Sequence, residues 1–179
     1  GQTEGVKLAS QEFVFHPGAS ETNPFYTWDI GSAGSTTLLG LAILPILAFG
    51  REAVSAELRG GLFQDFAPSV YHFRHVMLPL LNQMGLEANV EMIRPGYVPR
   101  GAGMLKLTVL PVPDLLGALN LVQTSAPEKL RAIGLCSHLQ ERKVSHRMSV
   151  AAQEVLGKYG YSAAIDCLYE DTALQPGAA

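Results

Sequence analysis

Apolar and polar positions follow one another along this chain in an order that predicts most of its elements. Glu12 to His16 (Glu-Phe-Val-Phe-His) is a short apolar-rich strand, stopped by Pro17-Gly18. After a polar loop, Phe25 to Ile30 alternates aromatic and polar residues and predicts a half-buried strand. Gly31-Ser32-Ala33-Gly34-Ser35 is a flexible turn, and Ser35 is an N-cap for a helix from Thr36 to about Ala48. Val54 to Arg59 alternates again and ends at Gly60-Gly61. A second helix starts with Pro68 in its first turn, where a missing N–H costs nothing, runs to about Met84, and stops at Gly85. Its apolar residues Val70, Phe73, Val76, Met77, Leu80, Leu81 and Met84 keep near-helical spacing. Two strands follow, Glu87 to Ile93 and Met104 to Leu110, joined through Pro95-Gly96 and Pro99-Arg100-Gly101.

Residues 25–110 thus read β-α-β-α-β-β, with both helices expected on one face of the sheet and the other face covered by something else or left to water. Pro111-Val112-Pro113 marks a boundary. Beyond it the pattern predicts strands at Leu119 to Thr124 and Lys129 to Leu139, a helix from about Arg142 to Leu156 ended by Gly157, and a strand from Ser162 to Tyr169, with no closing element after it. The fold class is mixed α/β (α+β): one β-α-β-α-β-β repeat over residues 19–113, and a small, incomplete α/β unit over residues 114–179. Residues 1–18 belong to the end of something preceding. Both termini read as cuts through a longer chain.

Composition narrows the class. At 47% hydrophobic and 16% charged, the 179 residues can build a core, which excludes disorder as the main state. A formal charge of −3 excludes nucleic-acid binding through bulk positive charge while leaving room for a local basic patch. Two cysteines, Cys136 and Cys167, cannot make a disulfide framework or a four-thiolate zinc site and read as buried thiols in a reducing compartment. The most apolar stretch, Leu38 to Phe49, has 12 residues where a bilayer span needs about 20, and it contains Pro45; it reads as a buried helix. The N-terminus lacks a basic start followed by an apolar run, so no membrane and a cytoplasmic address are expected.

Three places carry candidate chemistry. Gly31, Ser32, Gly34, Ser35 and Thr36 open a helix directly after a strand, where backbone N–H groups and hydroxyls suit a phosphate. The alternative is a tight strand-to-helix turn built of small residues for packing, since no Walker lysine follows. Arg94 and Arg100 flank a Gly/Pro-rich turn that admits a ligand close to the backbone; the alternative is a solvated hairpin tip. Arg142, Lys143 and Arg147 lie in the most basic stretch and can touch a polynucleotide backbone, or simply form a solvated helix face. His72 and His75 have i, i+3 spacing but no acidic or thiol partner nearby in sequence, so no metal site is expected.

The order of several segments is more telling than any one. Ala9 to Gly18, Ile30-Gly-Ser-Ala-Gly-Ser-Thr-Thr-Leu38, Leu44-Pro45, Arg59-Gly60-Gly61, Ala67-Pro68, Leu78-Pro-Leu-Leu81, Met84-Gly85 and Arg94-Pro-Gly-Tyr-Val-Pro-Arg-Gly-Ala-Gly103 succeed one another. Together they resemble the RNA 3′-terminal phosphate cyclase family over nearly the whole chain. The tail from Tyr169 to Ala178 resembles the segment leaving that family's small inserted domain. The resemblance implies three β-α-β-α-β-β repeats with a small domain inserted before the third, of which this chain holds one repeat and most of the insert. It implies ATP and a divalent metal as cofactors and an RNA 3′ end as partner: a histidine is adenylylated, AMP passes to the 3′-phosphate, and the 2′-hydroxyl closes a 2′,3′-cyclic phosphate. It also places Pro68 at the nucleotide pocket.

The departures shape the expectation. None of the five histidines matches the family's nucleophile. Leu41 stands where the family commonly has a nucleotide-contacting Gln, and Leu62 and Phe63 stand where it has Thr and then Asn or Asp. The chain by itself is therefore expected to be catalytically silent. The competing readings are a non-catalytic cyclase-like module for RNA or protein, and an unrelated α/β binding module. An uncovered apolar sheet face or edge would drive homodimerisation.

Overall fold

The computed structural model describes residues 1–19, 23–32, 34–127 and 129–179. Its main sheet holds β3 (Phe25–Asp29), β4 (Val54–Gly60), β5 (Ala88–Arg94) and β6 (Gly103–Val109) in the order β3-β4-β6-β5, with β3 parallel to β4 and the other pairs antiparallel. Before it, β1 (Gln2–Glu4) and β2 (Val14–His16) form a small antiparallel hairpin with exposed residues throughout. The alternation read from the sequence sets the faces. Ala56, Leu58, Val90, Leu105, Leu107 and Val109 are fully buried toward the helices, with Tyr26 and Trp28 stacked beside them at 5.0 Å. On the opposite face Glu57, Lys106 and Glu91 stand directly across from one another in register. That face is largely charged, with Phe25 and Ile93 as its exposed apolar groups.

Helix α1 (Thr36–Ala48) begins as expected, with Ser35 Oγ accepting from the Leu38 amide at 3.2 Å. Only one side of α1 is buried, through Thr36, Thr37, Gly40, Leu44, Leu47 and Ala48, while Leu38 and Ile46 are exposed; the expectation of a buried helix is half right. A Cβ on Gly40 would meet the ring of Phe73 at 3.0 Å, which sets the second helical segment beside α1 on the same face of the sheet.

That second segment is three pieces: α2 (Val70–His72), a π-helical turn (Phe73–Met77) and α3 (Leu78–Gln83). Pro68 lies outside it, and Ser69 caps α2 by accepting from the His72 amide at 3.1 Å, because Ser has the hydroxyl that Pro lacks. The wide turn has a local cause. Pro79 has no N–H to return to the preceding turn and its ring crowds the carbonyl there. The Leu78 amide instead reaches back five residues to the Phe73 carbonyl. The extra residue slips the apolar stripe: Phe73 and Leu78 are buried at 0% and 3% exposure, while Val76, expected inside, is 44% exposed. Gly85 ends the helix as expected, with the Leu86 amide bonded to the Leu81 carbonyl and the Gly85 amide to the Asn82 carbonyl.

After Val112, whose amide holds the Ala48 carbonyl, the chain has no regular structure through residue 127. The strand expected at Leu119 to Thr124 is absent: Leu121 and Val122 are 66% and 83% exposed and find no neighbouring strand, so alternation there has no buried face to serve. A second sheet follows, with β7 (Leu130–Ser137) between β8 (Ala163–Tyr169) and β9 (Gly177–Ala178); β7 runs parallel to β8 and antiparallel to β9. β9 is the closing element that the sequence pattern did not predict. Helix α4 (Val144–Lys158) connects β7 to β8. It starts two residues after Arg142, because Lys143 takes the left-handed conformation, and it runs through Gly157 to a stop at Gly160 (φ +76°). The Tyr161 and Gly160 amides close that end on the Leu156 and Gly157 carbonyls.

The two sheets meet at Tyr97. Its hydroxyl lies 3.1 Å from Ser137 Oγ, its ring lies against Gly177 so closely that any Cβ there would fall 2.2 Å from it, and Gln175 Nε2 donates to the Tyr97 and Val98 carbonyls at 2.6 and 2.8 Å. Leu135 and Ala173 join the same hydrophobic cluster as the first sheet's core.

Candidate phosphate-binding cleft

The GSAGS turn is held by its own groups. Asp29 Oδ1 accepts from the Gly31 amide at 2.9 Å, the Gly61 amide donates to the Gly34 carbonyl at 2.7 Å, and the Thr36 amide and hydroxyl both donate to the Gly61 carbonyl at 2.9 Å. Ser35 Oγ lies 2.8 Å from Thr37 Oγ1, which donates to the Pro68 carbonyl at 2.7 Å. The hydroxyls of Ser35, Thr36 and Thr37 are therefore buried and engaged within the chain, with the Pro68 carbonyl as the acceptor for Thr37. Ala33 lies outside the described residues.

The Arg94–Gly103 turn folds onto this one. Gly101 (φ +64°) sits where a Cβ would come within 2.6 Å of the Ser32 carbonyl oxygen, so only glycine permits the two turns to interlock. Arg94 Nε donates to the Ala102 carbonyl at 2.7 Å, which fixes the guanidinium and leaves its terminal amino groups as donors.

Between the turns is a cavity of about 340 Å³ lined by Asp29, Gly31, Ser32, Arg59, Arg94 and Arg100, with Gly60 and Ala102. Parts of two separate sequence candidates, Gly31 and Ser32 of the small-residue turn and Arg94 and Arg100 of the other, thus line one cavity, while Gly34, Ser35 and Thr36 do not line it. Sequence reading missed Arg59 and did not pair it with Asp29. The signal was available, since parallel pairing of the two alternating strands puts Asp29 opposite Arg59. Arg59 is held by Glu57 at 2.6 and 2.8 Å. Arg100 makes no hydrogen bond or ion pair among the described residues. Three guanidiniums against one lining carboxylate favour an anion, and the fork of an arginine matches a phosphate's oxygens. The same set does not fit a divalent metal, because it offers one carboxylate among three guanidiniums where such an ion needs several oxygen ligands. Among the described residues no group of three or more His, Cys, Asp and Glu side chains could hold a metal ion.

Arg142, Lys143 and Arg147 are not in this cleft. They are exposed around the start of α4, where Lys143 lines a separate hollow with Gln140, His146, Cys167 and Tyr169. A further groove of about 310 Å³ runs between the second helical segment and β7, lined by Phe63, Tyr71, His72, His75, Val76 and Arg131, among others. Rings continue one another into it. Tyr97 and Phe63 stack at 5.6 Å, Phe63 and Tyr71 lie tilted at 5.8 Å, and Tyr71 and His75 stack at 6.3 Å. Burial pushes both tyrosine hydroxyls above their ordinary pKa, so both rings stay neutral. Desolvation, then Arg74 and Arg131, pull the His75 imidazole below its ordinary value.

Among the described residues no helix is long and apolar enough to cross a membrane. Comparison with known proteins agrees with the segment order. A family model described as RNA 3′-terminal phosphate cyclase matches residues 1–178. The chain is similar to the RNA 3′-terminal phosphate cyclase of Methanococcoides burtonii, 31% identical over 95% of this chain and 50% of that protein. The like-named proteins of Archaeoglobus fulgidus (34% identical, 92% of this chain, 48% of the relative) and Nitrosospira multiformis (34%, 99% and 50%) are similar as well. The chain spans about half the length of these relatives.

Proposed function

The chain belongs to the RNA 3′-terminal phosphate cyclase family, and from that premise we propose that it is a phosphate-holding portion of an RNA 3′-end-processing protein. The observation that carries this reading is the convergence of Gly31, Ser32, Arg59, Arg94 and Arg100 on one cleft. A strand's phosphates would be gripped there by the Arg94 and Arg100 forks, with Ser32 and the Gly31 turn at close backbone range. ATP and a divalent metal belong to the family reaction; the cleft's donors suit the phosphates of a nucleotide and give a metal no set of ligands. The chain alone is catalytically silent in this reading, since none of its histidines matches the adenylylated one. The address is cytoplasmic.

A non-catalytic cyclase-like module is the second reading, and a specific observation favours it. Leu62 is buried at 1% exposure and Phe63 is stacked on Tyr97, so the two positions after Gly60-Gly61 serve packing rather than a nucleotide. Self-association belongs to either reading, through exposed apolar groups such as Phe13 and Phe15 beside and in the hairpin and Leu38 and Ile46 of α1; a stable monomer at high concentration on size exclusion removes it.

The test is RNA binding against salt, with radiolabelled ATP alongside. A 3′-phosphorylated single strand should bind with a salt slope that falls by about one for each of Arg94→Ala and Arg100→Ala. No covalent AMP adduct should form. Binding unchanged in the double variant would remove the cleft, and an adduct on this chain would remove its silence.

A further inference from the structure

The ring ladder ends in the open. Tyr97 and Phe63, at its inner end, are 4% and 9% exposed, Tyr71 is half-buried, and His75, its last ring, is exposed at the groove. Core aromatics normally finish against other apolar groups; this stack presents one ring to water, in a concave site of about 310 Å³. Cations stand beside that ring. Arg74 is its exposed chain neighbour, and Arg131 lines the same groove, its guanidinium donating to Asp166 at 2.7 and 2.8 Å. Flat aromatic ring, open volume and flanking guanidiniums make the combination that takes an unpaired base by stacking and its neighbouring phosphates by charge.

We propose that the groove between the second helical segment and β7 holds an unpaired base of a single-stranded RNA, stacked on His75 as the next ring of the Tyr97–Phe63–Tyr71–His75 ladder, with Arg74 and Arg131 on the adjoining phosphates. This rests on the RNA reading above and adds a second contact point to it. The two points share one element, because Tyr97 sits in the same turn as Arg94 and Arg100. The His75 imidazole is suited to stacking, since burial and the two arginines disfavour its protonated form. The acidic groups near the ladder are Asp166, paired with Arg131, and Glu170, which acts on both tyrosines.

The test uses the full chain and a short single strand carrying one 2-aminopurine, a base whose emission drops on stacking, together with the same strand made abasic at that position. The intact strand should be quenched on binding. His75→Ala should remove the quenching and weaken binding roughly 5- to 140-fold, the range for losing one base–aromatic stack. His75→Phe should keep both. The abasic strand should bind the native chain and His75→Ala equally. Binding that falls with Arg94→Ala and Arg100→Ala but ignores His75→Ala overturns this proposal and leaves the cleft standing. No binding of either strand overturns both.

Discussion

The four-stranded unit and the smaller sheet bury their chains in different ways. In the first, one sheet face and two helical segments enclose a continuous interior in which Leu58, Phe73, Val90, Leu105 and Leu107 have no exposure at all. In the second, α4 buries only Ser145 fully, through a hydrogen bond to the Gly134 carbonyl, and its apolar Val150 and Val155 are exposed. The second unit's fully buried Leu135 and its Ala173 pack into the first unit's cluster. The difference teaches that the larger unit is stabilised from within, whereas the smaller one is stabilised by docking, on the Arg94–Gly103 turn above all.

The largest effect that separates them is expected at Phe73. Phe73→Ala should cost about 3–5 kcal/mol in denaturant unfolding, because a fully buried ring leaves a cavity between α1 and the sheet. Hydrogen exchange should then quicken in both units. A smaller sheet that keeps its native protection in this variant has a core of its own, and the comparison breaks.

Gln175→Ala probes the docking itself. It removes two side-chain donors from the Tyr97 and Val98 carbonyls and should cost about 1–2 kcal/mol. Exchange should quicken across residues 130–179 and stay native in β3 to β6. Ser35→Ala acts on the other unit alone, removing the α1 cap and the Thr37 contact for about 1 kcal/mol, with the smaller sheet unchanged relative to global unfolding.

The smallest effect is electrostatic and sits at the seam. The folded His75 titrates below 6.5. As pH falls through the ordinary imidazole range, the unfolded chain takes a proton that the folded chain resists, so folding weakens toward acid and this penalty vanishes above about pH 6.5. The imidazole resonance followed by NMR should show the low midpoint, moving upward in Arg74→Ala by more than in Arg131→Ala. A midpoint indifferent to both leaves desolvation as the sole cause.

Legibility in the sequence followed the same division. Where alternation is enforced by a buried face, as in β3, β4, β5 and β6, strand positions could be read to within a residue or so, and Ser35 and Gly85 marked real helix ends. Where no face is buried, alternation misled: Leu119 to Thr124 has the pattern of a strand and no partner. Gly157 looked like a helix stop, but a tight end needs its glycine in the left-handed position, which Gly160 supplies. At the cleft, the two turns were each visible, while their meeting was not, because it depends on Gly101 pressing on Ser32 from some 70 residues away. Arg59 was hidden in a strand whose pairing partner had to be known first.

The wide turn at Phe73–Met77 has a consequence for how such a groove can arise. With ordinary winding Val76 would sit in the interior and the helix would offer a filled surface to β7. One residue too many for the turn expels Val76 and leaves it lining a recess beside His75. The hollow is thus the by-product of a winding defect rather than of an opened core.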